Sequence, residues 1–184
     1  MDLKGELLLL LRSSRAVMLD KLEGLSEYDR RRPLTTSGTN LLGLVKHLAG
    51  LEYGYLGASF GRPPLEQPSW FRDDPYDEID TWATVDESSD YITGAYRKAC
   101  AHADATVAEL ELDSPGHVAH WAEGHRETTL GVLLIRMAGE TSQHAGHADI
   151  VRELIDDRPA SSDPKYEVVQ TVADHFRGAE TSAW

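Results

Sequence analysis

Cysteine is nearly absent: Cys100 stands alone among 184 residues. That excludes an internal disulfide framework and any cysteine-rich zinc site, and it makes a reducing cytoplasm the expected compartment. Positive charge is also scarce. Eighteen Lys and Arg face 31 Asp and Glu, for a formal net charge of -13. Such a chain repels phosphate backbones and anionic headgroups, so neither nucleic acid nor a membrane surface is an expected partner. Long hydrophobic runs are missing. The apolar run at residues 7–11 is short and flanked by Lys4, Glu6, Arg12 and Arg15, and no small-residue cleavage site follows it. Nothing approaches the roughly 20 apolar residues of a membrane span. Internal repeats, low-complexity tracts and sustained strand alternation are lacking too.

What remains is an ordinary balance of 41% hydrophobic and 27% charged residues, with enough chain to bury a core unaided. Apolar residues at three- and four-residue steps predict four helices. The first covers about 3–25, with Leu7, Leu8, Leu11, Val17, Met18, Leu22 and Leu25 inward. A polar loop with Pro33 and Gly38 follows. Thr39 or Asn40 caps the second helix, over about 41–60, with Leu41, Leu44, Leu48, Leu51, Tyr55 and Leu56 along one side. Residues 61–85 form a long connection whose aromatics Trp70, Phe71, Tyr76 and Trp82 must pack on something. The third helix, about 89–112, starts at Asp86 or Ser88 and turns Tyr91, Ala95, Ala99 or Cys100, Ala103, Val107 and Leu110 inward. Residues 113–127 form a loop or at most a small hairpin. Thr128 or Thr129 then caps the fourth helix, about 130–155. The expected fold is all-α: a four-helix bundle over residues 1–157 with long inter-helix loops. A C-terminal tail, residues 158–184, holds one short helix around Tyr166, Val169, Val172 and Phe176.

The fourth helix carries polar residues on its apolar side. Its stripe runs through Leu130, Leu133, Leu134, Met137, Thr141, Ala148, Val151, Leu154 and Ile155. At 100° per residue His144 falls inside that stripe, and Glu140 and His147 fall along its edges. Glu140 and His144 are one turn apart on one face, so both can reach a single ion. On the second helix His47 sits beside Leu44, Leu48 and Leu51, and bundles build metal sites from inward side chains on facing helices. Spacing alone leaves two readings open. The cluster binds a divalent ion, or Glu140 merely orients His144 and each inward imidazole is hydrogen-bonded locally.

Two stretches carry a resemblance. Residues 40–52, NLLGLVKHLAGLE, and 140–153, ETSQHAGHADIVRE, resemble the DinB-like superfamily, and within it the mycothiol-transferase branch. The likeness spans about residues 3–157. It implies a metal-binding four-helix bundle, homodimeric, with one ligand from the second helix and two from the fourth: His47, Glu140 and His144. Relatives often carry His where this chain has Glu140. His147 matches a position that is typically His, implying a supporting or alternative ligand. Arg136 stands where close relatives often show another His.

The resemblance further implies zinc as the ion, with nickel, manganese or iron also acceptable to a His-His-Glu set. It implies mycothiol as thiol cosubstrate, and S-transfer to a small electrophile as the reaction. No residue is assigned as catalytic beyond the ligands. A hydrolase or isomerase on the same site is the alternative, as is a non-catalytic dimerisation module. A hydrolase needs a separate base, for which Glu52 and Asp149 are the nearby candidates. Tyr53, Tyr55, Trp70, Phe71, Trp82 and Trp121 are candidate pocket walls. His117 and His120 are candidates for a second ion site, Cys100 for packing, and His102 and His175 for the surface.

Overall fold

A computed structural model describes residues 2–66, 68, 70–71 and 81–156. Among these the order is α1 (Leu3–Asp20), α2 (Glu27–Arg31), α3 (Leu41–Tyr55), a 3-10 turn (Ala58–Phe60), α4 (Ser89–Glu109), β1 (Pro115–His117), β2 (Glu127–Thr129) and α5 (Leu130–Asp156). The expected tail helix, Tyr76 and His175 lie outside the described residues. No helix among the described residues is long and apolar enough to cross a membrane.

Helix starts follow capping chemistry. Asp2, Ser26, Asn40 and Ser88 each accept a backbone N–H from the first turn, at 3.2, 3.1, 2.7 and 3.1 Å. Each satisfies a donor the helix itself leaves orphaned. The start of α5 departs from expectation. Thr128 and Thr129 are in β2, paired antiparallel with β1. The first α5 amides instead bond the carbonyls of Ser114 (Leu130 N–H, 3.0 Å) and Leu112 (Gly131 N–H, 2.8 Å). The hairpin therefore does the capping.

Three predicted helices are shorter than their periodicity suggested. The first stops at Asp20, in a turn that ends at Gly24 with φ +74°. The second stops at Tyr55 and the third at Glu109. Apolar spacing continues past each end because the following turns still pack on the core. The reverse error was α2, read as loop: it is five residues long, too short to show a period, and rests on its Ser26 cap and Glu27–Arg31 pairing.

The bundle core holds Leu11, Leu42, Leu48, Ile92, Leu133 and Leu134, all fully buried. Each such side chain contributes about 1.5–3 kcal/mol by leaving water. On α4 the inward side is as expected at Ala95, Ala99, Ala103 and Val107, all buried, and differs at its start. Ile92 and Tyr96 are fully buried and Tyr91 is 45% exposed. Leu154, placed in the α5 stripe, is 57% exposed near the helix end.

Helix α1 runs parallel to α5. Ser14 meets Ser142, oxygen to oxygen at 2.9 Å, and two turns on along both helices Lys21 pairs with Asp149 at 2.8 Å. Charge also penetrates the core. Arg15 donates from Nε and Nη2 to the two Glu52 oxygens, both at 2.6 Å, and from Nη1 to Asp104 at 2.6 Å. One guanidinium thus ties α1 to α3 and α4. Burial pushes the Glu52 carboxyl above its ordinary range, and the two Arg15 contacts oppose that.

Candidate metal centre

Helix α3 presents His47, and α5 presents Glu140 and His144 one turn apart. One ligand-capable atom from each lies within 4.8 Å of the other two. His144 Nε2 is 3.4 Å from Glu140 Oε1. The His47 and His144 rings meet edge to face, with centroids 5.3 Å apart and planes at 77°. All three are half-buried; the His144 side chain is 17% exposed. The cluster therefore sits at the bundle rim.

Burial, and then the neighbouring His47, hold the His144 imidazole below its ordinary range, with Glu140 opposing. The ring is thus kept neutral, with a lone pair to share. His144 Nδ1 lies 3.4 Å from His147 Nδ1. A bound ion would take the Nε2 lone pair and leave the ring proton on Nδ1, toward His147. His147 is itself exposed.

A zinc ion with bonds of about 2.0–2.2 Å holds its ligand atoms roughly 3.4 Å apart. The Glu140–His144 pair already has that spacing, and the donor set of two imidazoles and a carboxylate suits a divalent ion. The residues fit the group. A cavity of about 350 Å³ opens beside them, lined by His47, His144 and His147, by residues 37–40, and by Thr81 and Trp82. That volume falls at the lower end of the range of small-molecule sites, about 300–1,000 Å³.

Other candidates resolve differently. Glu52 is closed off by Arg15, and Asp149 pairs with Lys21, so neither faces the cavity as a base. Of the candidate wall aromatics only Trp82 lines it. Tyr53 packs on Phe71 and His102, Tyr55 on His120 and Trp121, and Trp70 on Tyr91. His117 pairs across the hairpin with Glu127, Nδ1 to Oε1 at 2.7 Å, and no second cluster able to hold an ion includes it or His120 among the described residues. His102 is not a surface residue: its Nε2 meets the Arg62 carbonyl at 2.7 Å. Arg136 stacks over Trp121 at 4.8 Å. Burial, then Glu52, push the Cys100 thiol up to about 12, leaving it a packing residue.

Sequence reasoning found Trp82 and the histidines of the cavity wall but missed residues 37–40 and Thr81 as lining. Asn40 is legible as a cap, yet its Nδ2 also reaches the Thr81 carbonyl at 3.3 Å. Lys46 carried a signal that went unused, a charge between the inward-facing neighbours Val45 and Leu48.

The family profile described as Mycothiol-S-transferase matches residues 6–157. Among solved structures the fold is similar to that of a conserved protein from Enterococcus faecalis. Its TM-score is 0.67 at 13% identity, over 86% of this chain and 99% of that one. The sequence matches none of the curated proteins.

Proposed function

This chain belongs to the mycothiol-S-transferase family, and from there we propose that it is a metal-dependent thiol S-transferase. In this reading His47, Glu140 and His144 hold one divalent ion, zinc first and nickel, manganese or iron as alternatives. Mycothiol is the thiol cosubstrate and a small electrophile the acceptor, serving detoxification in the cytoplasm, with a homodimer as the working unit. Residues 1–157 are the functional unit and residues 158–184 an appendage.

The single observation that carries the reading is the convergence of the three side chains beside an open cavity. When bound, the ion supplies positive charge that favours the nucleophilic thiolate over the thiol. The chain does the rest. Glu140 offsets part of the ion's charge, and neutral His144 offers Nε2 without first losing a proton. His147 holds the His144 tautomer, and the cavity orients thiol and acceptor. Cys100 takes no part.

A hydrolase is disfavoured because Glu52 and Asp149 are both committed to cations. The test is elemental analysis of purified protein, then thiol consumption with a model electrophile before and after chelation. Turnover that survives complete metal removal would refute the proposal. Turnover without any thiol would favour the hydrolase.

A further inference from the structure

Thr81 and Trp82 form part of the cavity wall; they begin a short strap, residues 81–87, that leads to α4. Its indole, Trp82, is 43% exposed and faces the cavity. The residue that holds the strap is Lys46, the immediate neighbour of His47 on α3.

Lys46 is fully buried. Its Nζ donates to the Trp82 carbonyl at 2.7 Å and pairs with Glu87 Oε2 at 2.9 Å. It also lies 5.0 Å over the Trp70 ring. The same Glu87 oxygen accepts the Thr84 N–H at 2.8 Å. Burial works against the Glu87 carboxylate, yet Lys46 and the Thr84 amide hold it below its ordinary range. From outside, Arg31 grips the carbonyls of Thr84 and Glu87 at 2.9 and 2.5 Å. Two glycines let the strap come close. A Cβ on Gly38, whose φ is +85°, would strike the Trp82 ring, and one on Gly43 would strike the Thr81 carbonyl.

A buried ammonium is costly unless its protons are used. Here one bonds the backbone of the residue whose side chain walls the cavity, and another bonds the strap's own carboxylate. The cation serves the strap: Lys46 and buried Glu87 are partners, so removing either leaves the other charge and the Trp82 carbonyl unmatched where the strap meets α3.

We propose that Lys46 is a positioning residue that fixes Trp82, and that Trp82 is the specificity-determining wall against which the body of the thiol packs. The first half stands on geometry alone. The second rests on the transferase reading above. Lys46 touches no reacting atom, so its loss should weaken capture of the thiol and leave the ligand set intact.

The test uses the full chain with Trp70, Trp121 and Trp184 replaced by Phe, so that fluorescence reports Trp82 alone. Into this background go Lys46→Met and, separately, Glu87→Gln. Acrylamide quenching of Trp82 should rise at least about twofold in each as the strap opens locally, with helix content and metal per chain unchanged. In the natural background Lys46→Met and Trp82→Ala should each raise KM for the thiol about tenfold with kcat altered less than about threefold, the pattern of lost uniform binding. Unchanged quenching in a folded variant overturns the positioning role. If Lys46→Met does not fold, Glu87→Gln decides by the same reading. Loss of metal together with kcat would show that Lys46 acts through His47, which also overturns it. If the natural chain binds no ion or consumes no thiol, the transferase reading and the specificity half fall together, while quenching still decides whether Lys46 holds Trp82.

Discussion

The imidazoles of His47 and His144 meet edge to face across two helices, ring centroids 5.3 Å apart. Burial and the neighbouring His47 hold His144 below its ordinary range, which favours the lone pair that an ion between the two rings and Glu140 would use. Elemental analysis should therefore find close to one divalent ion per chain. His47→Ala and His144→Ala should each remove it. His147→Ala should keep it but weaken it by roughly 10–100-fold, as loss of an orienting partner does. Full metal content in His144→Ala would contradict the ligand set.

The same burial predicts how the metal-free chain responds to acid. The folded His144 is held below the ordinary value of 6.5 by burial and by His47. An unfolded His144 takes up its proton near 6.5 while the folded one still lacks it. The unfolded state then binds more protons, so stability falls as pH drops below about 6.5, until pH passes the folded value. Above the unfolded value this contribution is fully present. Urea midpoints measured in chelator between about pH 5.5 and 7.5 should fall more steeply toward acid for the natural chain than for His144→Gln. Parallel curves would remove the argument.

Arg15 and Glu52 form a deeply buried ion pair, with side chains 6% and 0% exposed. Removing one partner strands the other charge away from water. Arg15→Met should cost about 3–5 kcal/mol in urea denaturation, and Arg15→Met with Glu52→Leu should recover much of it. A single-variant loss under about 1 kcal/mol would mean that water reaches the site.

The sequence displayed the parts of this molecule that repeat or cap. The four long helices follow from spacing, Asn40 and Ser88 from capping chemistry, and Glu140 with His144 from a one-turn interval on an apolar face. Helix ends were overrun because Leu22, Leu25 and Leu56 go on packing after the helical hydrogen bonds stop. The start of α4 was misjudged because Tyr91 and Ile92 are adjacent and equally apolar to a periodicity count, and only the neighbouring helices choose between them; Ala95, Ala99, Ala103 and Val107 face inward as expected. Trp82 was legible as a wall, but how it is held was invisible for a further reason. Lys46 to Trp82 and Gly38 to Trp82 are contacts between distant stretches of chain, and no local pattern records which strap a buried ammonium will hold. Glu52 shows the converse: a carboxylate beside the site reads as a base until Arg15 is seen to occupy both its oxygens.

Cys100 invites a different chemistry, since under the proposed thiol transfer the chain's single cysteine is itself a candidate nucleophile. Its surroundings argue otherwise. Burial and the nearby Glu52 push the thiol up to about 12, so near neutral pH almost none is thiolate, and the thiolate is the reactive form. The native chain should therefore react with an aromatic disulfide reagent on the order of 100-fold more slowly than the urea-unfolded chain. Cys100→Ser should retain metal and thiol turnover. A Cys100→Ser variant that binds its ion normally yet transfers nothing would put the sulfur of Cys100 on the reaction path. The ion would then be left with a different task, holding the acceptor instead of the thiol.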